Sequence, residues 1–180
     1  LPVLTYGPNL ASGIRYVLSN FFGAATNLVF QEVSAVQQHD MGFFMGNPVG
    51  PGTAVGGIPI FTADPLAAGD VWFDTFNPGD FANPLVGNYN WATTIHEIGH
   101  ALGLKHGHSA DYGFTKQALT SDRDSMEFSI MTYRGYIGAD PSQPYGNPDG
   151  SFASTLMMFD IRALQHLYGA NFTWNAGNTS

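Results

Sequence analysis

Two imidazoles four residues apart, with a glycine three residues past the second, leave the segment His96-Glu97-Ile98-Gly99-His100-Ala101-Leu102-Gly103 few conformational choices. A helix turning about 100° per residue sets His96 and His100 one above the other on a single face, about 40° apart. Gly103 can take the positive φ that ends such a helix, so that the chain turns back and presents His106 as a third nitrogen. Three neutral imidazoles with an open fourth position form the ligand set of one catalytic zinc, whereas a structural zinc is normally closed by four protein ligands. Glu97 lies about 100° around the helix from His96, beside the ion instead of pointing at it, where it can take a proton from water as a general base. A bare His-Glu-x-x-His also occurs in solvated helices without function; Gly103 and His106 at fixed offsets select the zinc reading.

Around this motif the hydrophobic spacing changes along the chain. Val3–Tyr6 reads as a short strand, and Ser12 as the cap of a helix carrying Ile14, Val17, Leu18, Phe21 and Phe22. Leu28–Val33, Met41–Met45 and Asp70–Asp74 read as further short strands bounded by turn residues. Ile58–Thr62 is an edge strand, because Pro59 supplies no donor to a ladder. An extended substrate could pair there by strand addition, which makes Ile58, Ile60 and Phe61 the candidate substrate-binding residues. Trp91–Leu104 is helical; 105–150 is too polar and too rich in Gly, Pro and Asp to be one packed element. Ser154 or Thr155 caps a last helix through Leu156, Phe159, Ala163, Leu164 and Leu167, with Gly169 as its stop. Early strands and late helices predict an α+β fold, one sheet backed by helices, and residues 1–180 read as a single domain of a size that needs no partner to bury a core.

Composition excludes several function classes. Six Lys+Arg against 14 Asp+Glu give a net charge of −8, and the basic residues are scattered, so no stripe exists to neutralise a run of phosphates. Nucleic acid is therefore not an expected partner. No apolar run approaches the about 18 residues of a membrane span, and no membrane insertion is expected. The chain has no cysteine, which removes disulfides, thiolate ligands and a cysteine nucleophile.

The segment from His96 to His106 resembles the zinc signature of the metzincin metallopeptidases. Ser129-Ile130-Met131-Thr132-Tyr133 is similar to the family's Met-containing turn, and a Tyr two places after the Met is similar to the serralysin and astacin branches. Ile161-Arg162-Ala163-Leu164-Gln165-His166-Leu167-Tyr168-Gly169-Ala170-Asn171 resembles the serralysin final helix and its exit. The resemblance implies a metzincin-type catalytic domain, with a twisted mixed sheet, an active-site helix, a Met turn and a C-terminal helix. It implies that Met131 forms an apolar floor under the imidazoles, that Tyr133 is a metal ligand which swings away to hydrogen-bond the oxyanion, and that Asp160 supports the Met turn. Taken alone, Met131 would pass for core filler, Tyr133 for a core or surface aromatic, and Asp160 for a helix-start charge favoured by the dipole.

Three departures from the serralysin pattern stand out. Gly107-His108 replaces the usual Pro after the third His, which predicts a more mobile loop there; Phe159 stands where a second acid is common; and no Gly/Asp nonapeptide repeat of the calcium-binding kind occurs. The chain thus reads as the catalytic module alone or as a minimal relative. The activity implied is a secreted, extracellular zinc endopeptidase acting on proteins or peptides, a monomer, with a proteinaceous inhibitor as a further candidate partner. The alternative class is a non-catalytic zinc-containing binding module on the same fold, which would be free to lose Glu97 and Tyr133; both are present. His39, His108 and His166 read as solvent or packing residues. Asp111, Asp122 and Asp124 read as a solvated loop that lacks EF-hand spacing, so Ca2+ is not expected.

Overall fold

The computed structural model describes residues 8–34, 39–46, 54–56, 69–74, 81, 83–110, 117–140, 142, 145–174 and 176–177. Helix α1, Pro8–Val17, begins before the expected cap at Ser12, which lies exposed within it. Proline suits the first helical position because it has no N–H to leave unpaired. The chain continues through a wider π turn at Leu18–Phe22 and a short α2, Gly23–Ala25. Leu10, Ile14, Val17 and Phe22 all face the core. Thr26 closes the run: its N–H and its hydroxyl both donate to Phe22 O, at 3.0 and 2.7 Å.

Three short strands follow: β1 Phe43–Met45, β2 Ala54–Gly56 and β3 Val71–Phe73, in the order β1-β3-β2. β1 is parallel to β3, with Phe43 opposite Val71, and β2 is antiparallel to it, with Ala54 opposite Phe73, so the sheet is mixed as the resemblance implied. Val71 and Phe73 point into the core, while Trp72 on the other face stacks on Phe44 at 4.6 Å. The expected strand at Leu28–Val33 is absent. That segment pairs with no strand among the described residues; Leu28 and Phe30 pack against the core, whereas Val29 is 92% exposed. The segment is also held by Arg15, which donates to both carboxylate oxygens of Glu32 at 2.9 and 2.7 Å. The expected strands Val3–Tyr6 and Ile58–Thr62, and with the latter the candidate substrate-binding residues Ile58, Ile60 and Phe61, lie outside the described residues.

Helix α3, Tyr89–Ala101, carries the first two histidines and packs against β2 and β3. Asn88 caps it, its side-chain oxygen accepting from Trp91 N at 2.8 Å. The last helix, α4, spans Met158–Tyr168. It starts after Ser154 and Thr155, and neither hydroxyl caps it: they bond Phe152 O and Leu156 O. Asp160 supplies the cap, accepting from Met157 N at 2.8 Å. Gly169 ends the helix with φ 76°. No helix or strand occurs among the described residues between 105 and 150, and no helix among the described residues is long and apolar enough to cross a membrane.

Candidate metal centre

Every residue from Trp91 to Ala101 is buried, so the two histidines of α3 enter an interior that withholds water from them. Beyond Ala101 the chain reverses at Gly103, φ 92°, with Gly103 N donating to His100 O at 2.8 Å and Leu104 N to Gly99 O at 2.9 Å. This reversal brings His106 back over the helix. Its Nε2 lies 2.9 Å from that of His100 and 3.2 Å from that of His96. These three form the one group of metal-competent side chains found among the described residues.

Their outer nitrogens decide what the inner ones can do. His96 Nδ1 bonds Ile130 O at 2.9 Å and His100 Nδ1 bonds Leu104 O at 2.8 Å. A carbonyl only accepts, so both Nδ1 atoms carry the proton, and a neutral ring then leaves a bare lone pair on Nε2. Neutrality is enforced. Burial, then the neighbouring His100 and His106, hold His96 well below its usual pKa; burial lowers His100; burial and then His100 push His106 down to about 3. Two unprotonated nitrogens thus face the third across about 3 Å, and since His106 Nε2 carries at most one proton to share between them, a cation held by all three suits the cluster better. Nitrogens about 2.0 to 2.1 Å from a tetrahedral zinc stand about 3.3 Å apart, close to these separations.

The turn through Ser129–Tyr133 lies against this cluster and is fastened to α4 by one carboxylate. Asp160 accepts from Ser129 Oγ at 2.6 Å, from Ile130 N at 2.9 Å and from Met157 N. Ile130 O is the acceptor for His96, so the chain of bonds runs from α4 through the turn to the imidazole. Burial raises the Asp160 pKa and these bonds oppose the rise. Met131 is 2% exposed and its sulfur meets the backbone of α3 at Gly99. Phe159, where an acid is common in serralysins, stacks on Phe128 at 5.8 Å.

Tyr133 is half-buried, its ring 4.4 Å from that of His106 and 6.1 Å from that of His96. Burial, then the charge of Glu97, raise its pKa, so the phenol is a donor at neutral pH. Glu97 is buried, and its charge is also felt by Tyr89 and Tyr145. Tyr145 was not legible as a site residue, yet its ring lies 5.2 Å from Tyr133 and 6.5 Å from His96.

The other histidines separate by place. His108 stacks on His106 at 5.2 Å as a packing residue, whereas His39 and His166 are exposed. The expected solvated loop needs correction at Asp124, which is 3% exposed: Thr132 Oγ1 donates to it and Arg134 Nε lies 3.0 Å away. Such pairing repays the desolvation that a lone carboxylate would suffer. Asp122 is exposed, and Asp111 lies outside the described residues. Where the chain leaves His106, Gly107 N donates to Met131 O at 3.2 Å and Gly107 O accepts from Leu119 N at 2.8 Å.

Comparison with known proteins agrees with this geometry. A Met-zincin family model matches residues 79–176. Serralysin B of Dickeya chrysanthemi is 32% identical over 163 residues, covering 86% of this chain and 32% of its own. Serralysin of Proteus mirabilis is 35% identical over 116 residues, 62% of this chain and 22% of its own. Metalloprotease AprA of Pseudomonas entomophila (strain L48) is 37% identical over 102 residues, 53% of this chain and 20% of its own. The chain thus spans a third or less of the length of these relatives. With the family model covering more than half of the sequence, and serralysins 32 to 35% identical to it, the chain belongs to the Met-zincin family as a serralysin-like metzincin.

Proposed function

We propose that this chain is a zinc endopeptidase, acting on protein or peptide substrates outside the cell as the serralysin-like relatives suggest. The observation that carries the reading is the convergence of three Nε2 atoms, that of His106 lying 2.9 Å from His100's and 3.2 Å from His96's, with the His96 and His100 rings fixed in tautomer by carbonyls. His96, His100 and His106 would hold the metal. When bound, zinc supplies a Lewis acid for the scissile carbonyl and lowers the pKa of water from 15.7 to about 7.

The remaining chemistry belongs to this chain's side chains. Glu97 takes the proton of the attacking water and then delivers it to the leaving amine, because it is a buried carboxylate next to the ligand face. Tyr133, a neutral phenol beside His106, donates a hydrogen bond to the oxygen that gains charge as the carbonyl becomes tetrahedral. Its place among the metal's ligands in the resting state would be left as substrate enters. Met131 gives the imidazoles an apolar floor, Gly103 makes the reversal that delivers His106, and Asp160 holds the turn in register with α4. Ile58, Ile60 and Phe61, an edge strand by sequence alone, would be where an extended substrate pairs.

The test is metal analysis of the purified chain together with a peptide-library digest mapped by mass spectrometry. About one zinc per chain is expected. Glu97→Ala should keep zinc and fold while losing about 10²- to 10⁴-fold in hydrolysis. A chain that binds zinc tightly yet cleaves nothing would be a binding module, and one that binds no zinc would overturn the reading altogether.

A further inference from the structure

Tyr145 is the one non-glycine residue among those described with a positive φ, at 60°. A bulky side chain in that left-handed region is disfavoured, since its β-carbon crowds the following carbonyl; glycine or asparagine occupies it at lower cost. Nothing in the backbone requires a tyrosine there. Its amide donates to Tyr133 O at 3.1 Å, a bond any residue but proline could make. What the side chain adds is a ring packed among three others: 5.2 Å from Tyr133, 5.3 Å from Tyr89 and 6.5 Å from His96.

Tyr133 is thereby packed among three rings. His106 and His108 stand at 4.4 and 4.7 Å from its ring, and Tyr145 fills space beside it. A phenol that donates to a developing oxyanion must be held to within fractions of an ångström, and misplacement by about 1 Å can cost 10²-fold in rate. We propose that Tyr145 is a positioning residue for Tyr133, its ring limiting how far the Tyr133 phenol can move from the three imidazoles. The left-handed backbone is the strain retained to put that ring in place. This inference rests on the reading of Tyr133 as the oxyanion donor.

The experiment compares Tyr145→Phe, Tyr145→Asn and Tyr145→Gly in the full chain. Tyrosines are labelled with fluorine on the ring, and the Tyr133 signal is identified by its loss in Tyr133→Phe. Tyr145→Phe keeps the packed ring and should match the parent in the Tyr133 signal and in kcat. Tyr145→Asn and Tyr145→Gly suit the left-handed backbone and remove the ring; they should shift and sharpen the Tyr133 signal in the metal-free and zinc-loaded chain. They should also lower kcat about tenfold while KM stays within about twofold. If both variants fold, bind zinc like the parent and leave the Tyr133 signal and kcat unchanged, the inference falls. It also falls if KM alone rises, which would make Tyr145 a substrate contact, or if neither variant folds, which would make the ring part of the core. If the parent chain hydrolyses nothing, the proposed function fails first, and the fluorine signals still decide whether Tyr145 restrains Tyr133.

Discussion

A β-carbon on Gly99 would stand 2.7 Å from the sulfur of Met131, so the helix that carries two of the histidines has no room for a side chain at that point. The close approach holds Met131, 2% exposed, against the backbone of α3. Gly99→Ala must push the sulfur or the helix aside. Overpacking of this kind costs about 1 to 3 kcal/mol, and the displaced turn carries Ile130 O, which orients His96. We expect a lower melting temperature together with weaker zinc binding. If calorimetry shows parent-like stability and a zinc titration shows parent-like affinity, the contact is not tight.

Asp160 joins two buried donors, Ser129 Oγ and Ile130 N, and a part-buried one, Met157 N. Asp160→Ala should lose about 3 kcal/mol or more, since each buried donor left unpaired costs about 1 to 3 kcal/mol. Asp160→Asn retains an acceptor and should lose less. The pH dependence has a definite sign. Burial raises the Asp160 pKa above the unfolded value, so its contribution is full below the unfolded pKa and declines as pH rises through the raised one. Denaturant melts of the metal-free chain from pH 3 upward should show this slope in the parent and lack it in Asp160→Asn.

The zinc motif and the apolar stripe of the last helix were legible because each depends on local spacing. Ile95, Ile98 and Leu164 lie fully buried where helical periodicity put them, whereas Leu167, expected in the same stripe as Leu164, is 42% exposed. Failures came where distant partners decide. Leu28–Val33 has strand composition, but no strand among the described residues pairs with it, and Arg15 anchors it from α1. Ser154 and Thr155 are good caps by type, yet Asp160, three residues into the turn, captured Met157 N while also serving Ile130. Asp124 resembled a loop carboxylate until Arg134 and Thr132 enclosed it. Tyr145 carries no local signal at all: its role depends on where Tyr89, Tyr133 and His96 come to stand.

Gly107 stands where serralysins usually have proline, and its N–H donates to Met131 O at 3.2 Å. Proline cannot make that bond. A net hydrogen bond contributes about 0.5 to 1.5 kcal/mol, so Gly107→Pro should lower the melting temperature by a few degrees. Gly107→Ala is the control, because its β-carbon would meet only the end of the Leu119 side chain, 2.8 Å away, which can turn aside. Scanning calorimetry that finds proline no worse than alanine would show that the bond to Met131 contributes little.

Tyr133→Phe keeps the ring beside His106 and removes only the hydroxyl. Removing one oxyanion donor typically costs about 10²- to 10³-fold in kcat. Because that contact strengthens in the transition state, kcat should fall while KM changes little. Steady-state kinetics on a cleaved peptide separate the two. A rise in KM at constant kcat would make Tyr133 a binding residue only.

Zinc without calcium should restore the metal-stripped chain. Calcium takes six to eight oxygen ligands, whereas the metal-competent group among the described residues consists of three imidazole nitrogens. The buried acid in the loop beyond His106 is already engaged, Asp124 being shared by Thr132 and Arg134, and Asp122 is exposed to water. The imidazoles supply the coupling between metal and stability. Burial and crowding hold them neutral with lone pairs facing one another, an arrangement that a cation relieves and that the unfolded chain does not impose. Binding the folded form alone stabilises it by about 2.7 kcal/mol at a free zinc concentration 100-fold above Kd. After treatment with a chelator, zinc should therefore raise the melting temperature and restore peptide hydrolysis together, and calcium alone should do neither. If calcium is required for either, the segment containing Asp111 and Asp122 becomes the place to look for its ligands.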